Sequence, residues 1–163
     1  MYRNAEKGHV VAKWTINALA LTFFILVIGS YLDFIFFKKF TIQPLIFILC
    51  MCTYAAALTL RFCSIATLNK FRSYNIELRR NQKIIKEGPY SYIRNPIYLS
   101  MLIEAFVIPM ATSSIFFLFF AIVVYIPLIF VRLRIEEKTL LRLLGHEYYE
   151  YMKFVPSLIP FFK

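Results

Sequence analysis

Arg94, Asn95 and Pro96 stand together where a basic stretch meets an apolar one, and two acids, Glu136 and Glu137, stand together just past another apolar run. An arginine guanidinium is a planar fork of donors suited to a carboxylate or phosphate. Asparagine favours the N-cap and proline the first helical position, so a helix is expected to start at Pro96 with Asn95 as its cap and with free N–H groups that attract an anion. A plain cap beside a headgroup-binding arginine has the same local pattern, so both uses stay open. The acids can pair along their own helix, Arg132 with Glu136 and Arg134 with Glu137. They can equally hold a cation or hydroxyl groups. Helical periodicity puts Glu137 on an apolar face with Leu133, Leu140, Leu141, Leu144, Tyr148 and Tyr151, and turns Glu136 about 100° away. A buried carboxylate needs a partner, so Glu137 is the stronger candidate.

Gly88-Pro89-Tyr90 signals a turn that lets the backbone approach something closely, with Tyr90 as a flat face beside it. Glu104 lies inside an apolar segment, where an acid is expensive and points to function by default. It shares a helical stripe with Tyr98, Met101, Ala105 and Ile108, and its structural partner would be Arg61. His9 and His146 are isolated. Cys50, Cys52 and Cys63 form neither a CxxC nor a His-Cys cluster, so no metal site and no disulfide framework is expected.

These residues need a scaffold, and the composition says which kind. Of the 163 residues 60% are hydrophobic and 17% charged, with 18 phenylalanines. Soluble domains carry roughly 45–50% and 25%. The expectation is a single all-α, polytopic membrane domain over residues 1–163. Four spans are expected, at about 14–37, 44–68, 96–111 and 114–131. The last two form a tight hairpin around Thr112-Ser113-Ser114. A cytoplasmic amphipathic helix should follow, with Pro127 kinking the fourth span. The first span is too long for a signal-peptide core. The net charge of +10 does not mean nucleic acid, because the basic residues cluster at the ends of apolar runs. That is a topology signal, and it places both termini in the cytoplasm.

The string GPYSYIRNPIYLS, a helical hairpin, and then RIEEKTLLRLLGHEYYEYMKFVPSLIP together resemble a group of integral-membrane methyltransferases, the isoprenylcysteine carboxyl methyltransferases and phospholipid methyltransferases. The group's pattern is Gly-x-Tyr, Arg-His-Pro-x-Tyr-x-Gly, a hairpin, Glu-Glu, then Gly-x-Glu-Tyr-x-x-Tyr and prolines. The resemblance covers residues 83–160. It implies S-adenosylmethionine as methyl donor, held between 83–100 and 132–160, and an acceptor that is lipid-like or prenylated and enters from the membrane lipids. It also implies a cofactor site of Lys83, Gly88, Tyr90, Arg94, Asn95, Pro96, Tyr98, Glu136 and Glu137. Arg94 and Glu137 are expected nearest the chemistry, joined by Glu104, which is outside the shared pattern and is a candidate by its depth in an apolar segment. A prokaryotic inner or cytoplasmic membrane is the expected location. Three positions depart from the pattern. Asn95 replaces the histidine and cannot become charged. Ser100 replaces a glycine. Lys83 stands where the prenylcysteine branch often has histidine. A sterol-reductase-type membrane enzyme using NADPH shares a similar Arg-His-Pro segment, and a non-catalytic scaffold is the third possibility.

The charge pattern is testable. In a background lacking the three cysteines, Tyr2→Cys and Phe162→Cys should both resist an impermeant thiol reagent in intact cells. Labelling of either from outside refutes the arrangement.

Overall fold

The computed structural model describes residues 13–37, 43–72 and 84–158. All regular elements among them are helical. Helix α1 is Lys13–Phe37 and α2 is Pro44–Arg72. A single 3-10 turn, Gly88–Ser91, precedes α3, Pro96–Ala111. Helix α4, Ile115–Phe120, runs through a π turn, Ala121–Tyr125, into α5, Ile126–Leu144. Helix α6 is His146–Phe154.

Three of these rods are long and apolar enough to cross a membrane: Trp14–Phe36, Pro44–Leu68 and Ile115–Leu144. The expected third span is present as α3, but at ~1.5 Å per residue its 16 residues reach only about 24 Å, short of a ~30 Å hydrocarbon core. Hydroxyl groups on the spans bond back to the preceding turn, as Thr53 does to the Leu49 carbonyl and Ser64 to that of Leu60. This is the local solution open to a polar side chain in an apolar solvent.

The fourth span, expected at about 114–131, continues without a break into the amphipathic helix expected after it, and one expectation about that helix is corrected. One rod runs from Ile115 to Leu144, because the change from apolar to charged residues marks a membrane boundary and nothing there breaks a helix. The rod then stops at Gly145, whose φ of 56° ends the spiral, so Tyr148 and Tyr151 belong to a second helix and not to one continuous stripe. Pro127 has its effect as the π turn just before it: proline lacks an N–H and clashes with the carbonyl four residues back, and a wider turn relieves both. Ala121, Tyr125, Ile129 and Leu133 are all buried at four-residue spacing. A regular helix would drift by about 40° over each such step, and the wide turn offsets part of it.

The bundle is antiparallel and its ends are pinned by polar contacts. Near one end, Arg132 Nη1 of α5 donates to Thr15 Oγ1 of α1 at 3.0 Å. Near the other, Ser114 Oγ before α4 donates to Asp33 of α1. Between them Leu19, Leu26, Ala105, Ala121, Tyr125 and Ile129 form the core. Small residues permit the close approach: a Cβ on Gly29 would lie 2.0 Å from the Phe117 ring. Helix α2 packs mainly on α3.

Gly29→Val should therefore destabilise the protein by about 1–3 kcal/mol, the usual range for overpacking. Adding Phe117→Ala should recover part of the loss. Thermal unfolding in detergent of the two single variants and the double variant measures the coupling; additive losses would refute the contact.

Candidate functional site

The chain entering α3, the charged end of α5, and the segment after α6 converge at the end of the bundle that holds Thr15. They are sewn together by backbone. Arg94 N donates to the Pro156 carbonyl at 2.9 Å and Asn95 N to the Ser157 carbonyl at 3.1 Å. The Tyr151 hydroxyl donates to the Tyr90 carbonyl. The tail thus lies against the residues that begin α3.

At this seam Glu137 Oε1 accepts from Asn95 Nδ2 at 2.8 Å and from Ser157 Oγ at 2.9 Å. Arg94 Nη2 lies 3.5 Å from the same oxygen, with the arginine side chain 9% exposed and the glutamate 16%. Asn95 is the residue before α3, as expected, but its side chain makes no cap hydrogen bond. Its amide is turned instead toward Glu137 and Ser157 Oγ. A charged acceptor outcompetes a backbone cap because charge-assisted hydrogen bonds are the stronger ones. The N–H groups of the first turn of α3 are left without that cap. Arg94 Nε and Nη1 are buried and have no hydrogen-bond partner among the described residues.

A second set lies alongside. The Tyr98 hydroxyl donates to Glu136 Oε2, and Arg132 Nε is 4.0 Å from that oxygen, with Glu136 44% exposed. Through Arg132 and Thr15 this set ties α3 and α5 to α1. Tyr90 is buried, and burial together with the negative charge of Glu136 pushes its hydroxyl up to about 12. Tyr148 is likewise pushed up to about 12 by burial and by Glu137, with Arg94 opposing. Gly88 has φ of 58°. The approach it permits is to α2, where Thr67 Oγ1 would be 3.0 Å from an added Cβ.

The structure thus brings Arg94, Asn95, Glu137, Tyr98, Glu136 and Tyr90 to one end of the bundle, with Pro96 buried at the start of α3. Glu104 lies two turns deeper and pairs with Arg61 at 2.7 Å. Lys83 lies outside the described residues. Sequence reasoning did not single out Ser157, which bridges Asn95 and Glu137, nor Tyr148. The tail prolines were the available signal for Ser157, since a segment that leaves its helix at Pro156 is free to return along another.

Comparison with known proteins now adds a family. Residues 45–147 match the description of phospholipid methyltransferases. The chain belongs to that family. The matched stretch holds α2 through α5, and with them Arg94, Glu104 and both tail acids. The chain is also 32% identical over 114 residues to methanethiol S-methyltransferase 1 of Bradyrhizobium diazoefficiens, a match over 64% of this chain and 39% of that protein. It therefore spans about two fifths of the relative's length. No solved structure matches.

The two buried tyrosines give a pH prediction. Their hydroxyls hold protons more tightly in the folded chain than in the unfolded one. The stability this contributes is fully present below pH ~10 and is lost as pH rises towards about 12. The melting temperature in detergent should fall over that window, and less steeply in a Tyr90→Phe/Tyr148→Phe variant. Identical slopes would overturn the assignment.

Proposed function

We propose that this family member is an integral-membrane methyltransferase that uses S-adenosylmethionine. The observation that carries the proposal is the Arg94–Glu137 seam: a buried guanidinium with two unpartnered nitrogens, beside a carboxylate that shares one oxygen among three donors. Buried polar groups without partners are rare in folded proteins and call for a ligand or other explanation. A cation and an anion side by side match the carboxylate and ammonium of an amino acid, which is one end of S-adenosylmethionine. Arg94, aided by the uncapped start of α3, would hold the carboxylate, and Glu137 the ammonium. Asn95 and Ser157 keep Glu137 oriented. Glu136 offers a carboxylate for ribose hydroxyls, and Tyr90 and Tyr98 offer aromatic surface for the adenosine. When bound, the cofactor supplies an electrophilic methyl on a sulfonium. The chain's own work is placement and exclusion of water.

The acceptor is a nucleophile that reaches the site through the bilayer. The likeness to a methanethiol S-methyltransferase favours a thiol of small or lipid-like form. On the same reading, the site faces the cytoplasm, where S-adenosylmethionine is made.

S-adenosylhomocysteine should raise the melting temperature of the purified protein, since a ligand that binds only the folded state stabilises it, and NADPH should not. Glu137→Gln should weaken S-adenosylhomocysteine binding by about 1.5–3 kcal/mol, as for loss of a hydrogen bond to a charge. Glu136→Gln should cost clearly less. Calorimetry reads both. A response to NADPH alone would replace this proposal with the reductase.

A further inference from the structure

A second polar site lies inside the bundle. Glu104 is fully buried. Its Oε2 accepts from Arg61 Nη2 at 2.7 Å, while its Oε1 has no partner among the described residues. Arg61 could close a two-oxygen fork on the carboxylate, but it does not: its Nε is turned to Ser100 Oγ at 3.3 Å. The arginine therefore holds Glu104 by one oxygen and leaves the other open. The Tyr125 hydroxyl is likewise buried and without a partner. Tyr125 packs in the same core cluster as Ala105, the neighbour of Glu104, and lies within electrostatic reach of both Arg61 and Glu104. It occupies the last position of the π turn, a distortion frequently found at functional sites.

A pair that served stability alone would gain by filling both oxygens, because an unmade bond to a buried charge is more costly than one to a neutral group. The position also suits chemistry. Glu104 is about 12 Å along α3 from Pro96, and side chains on a helix lean towards its N-terminus. Glu104 therefore leans back towards Tyr98 and the Arg94–Glu137 seam.

We propose that Glu104 Oε1 is the proton acceptor for the methyl-accepting atom, that the Tyr125 hydroxyl donates a hydrogen bond to that atom, and that the acceptor is an apolar thiol. This rests on the methyltransferase reading above. The acceptor sulfur forms a bond to the methyl carbon. The bond from that carbon to the sulfonium sulfur breaks, its electron pair staying on the donor sulfur. The acceptor's proton passes to Glu104 Oε1 and returns to water as product leaves. Before the step the site holds a sulfonium and a carboxylate; after it, a thioether and a carboxylic acid. The sulfonium and the carboxylate lose their charges together while Arg61 keeps its own, so the net charge of the site does not change. Arg61, bonded to Oε2, holds Glu104 in place until then, as a positioning residue.

Two thiols separate this from a structural role: 1-decanethiol, which is protonated at neutral pH, and pentafluorothiophenol, which is already ionised. The full chain in detergent micelles is assayed for transfer of tritiated methyl from S-adenosylmethionine. Glu104→Gln should lower kcat on decanethiol by about 100-fold or more, the usual size of a lost general base. Its rate on pentafluorothiophenol and its affinity for S-adenosylhomocysteine should be unchanged. Tyr125→Phe, which keeps the core volume, should lose about five- to tenfold on decanethiol, as for one neutral hydrogen bond, and no less on the ionised thiol, a stronger acceptor of that bond. Equal losses on both thiols in Glu104→Gln would overturn the proposal, as would full activity on decanethiol of either Glu104→Gln or Tyr125→Phe. If Glu104→Gln does not fold, Glu104→Asp decides by the same comparison. Wild-type protein that binds S-adenosylhomocysteine but methylates neither thiol refutes the acceptor class alone. Protein that does not bind it refutes the underlying methyltransferase reading as well.

Discussion

An acid carried into an apolar interior must be met by a cation or by donors from somewhere else, and this one constraint organises the described structure. Glu104 cannot be left bare in lipid, so α2 must present Arg61 to α3. Glu137 cannot sit on the inner face of α5 alone, so the start of α3 and the returning tail must supply Arg94, Asn95 and Ser157. Glu136 is half exposed and needs less, and it makes the looser pairing with Tyr98 and Arg132. Apolar contact brings the helices together without much choice of register. The charge pairs are directional, and they select which turns face each other.

The two interior acids solve the constraint differently. Around Glu137 the donors converge on one oxygen, and the surplus lies on the cation, as unpartnered nitrogens of Arg94. Around Glu104 the surplus lies on the anion, as an oxygen that Arg61 does not cover. One site is thus short of an anion and the other short of a hydrogen-bond donor. They lie at two depths along α3. A methyl donor with a carboxylate head and an acceptor that arrives with a proton would complete both. The wide turn before Pro127 helps keep Tyr125 on the inner face.

Much of the architecture is legible from residue types. Runs such as FFILVIGSYLDFIFF permit only a helix in lipid, and lysines at their ends mark the boundaries. Pro44 and Pro96 begin helices where proline's fixed φ and missing N–H fit. Glu137 is separable from Glu136 by helical phase, and the burial of the two side chains differs in that sense. The cap at Asn95 was misjudged because a cap is a local bargain, and a carboxylate from a segment 42 residues away offered a stronger one. Hydropathy reports the solvent and not the hydrogen-bond ladder, so the apolar run at about 114–131 is shorter than the helix that carries it. The membrane can end where the helix does not.

The sequence by itself determined the helices, their apolar solvent, and which polar residues would need partners, because these follow from short-range periodicity and from the cost of burying charge. One partner was legible as well: Arg61, an arginine inside an apolar run, lies 43 residues from Glu104 and pairs with it as expected. The partners of Glu137 were decided only by the tertiary structure. Ser157 lies 62 residues from Asn95, and no local pattern distinguishes it from other serines. The tail's return over the start of α3 also depended on the fold, since backbone groups at Arg94 and Asn95 find Pro156 and Ser157 only after α5, Gly145 and α6 have turned the chain back. Contacts across such separations are set by how rods of given length pack. That packing brought Arg94 and Glu137 to one seam and left an oxygen of Glu104 open in the interior.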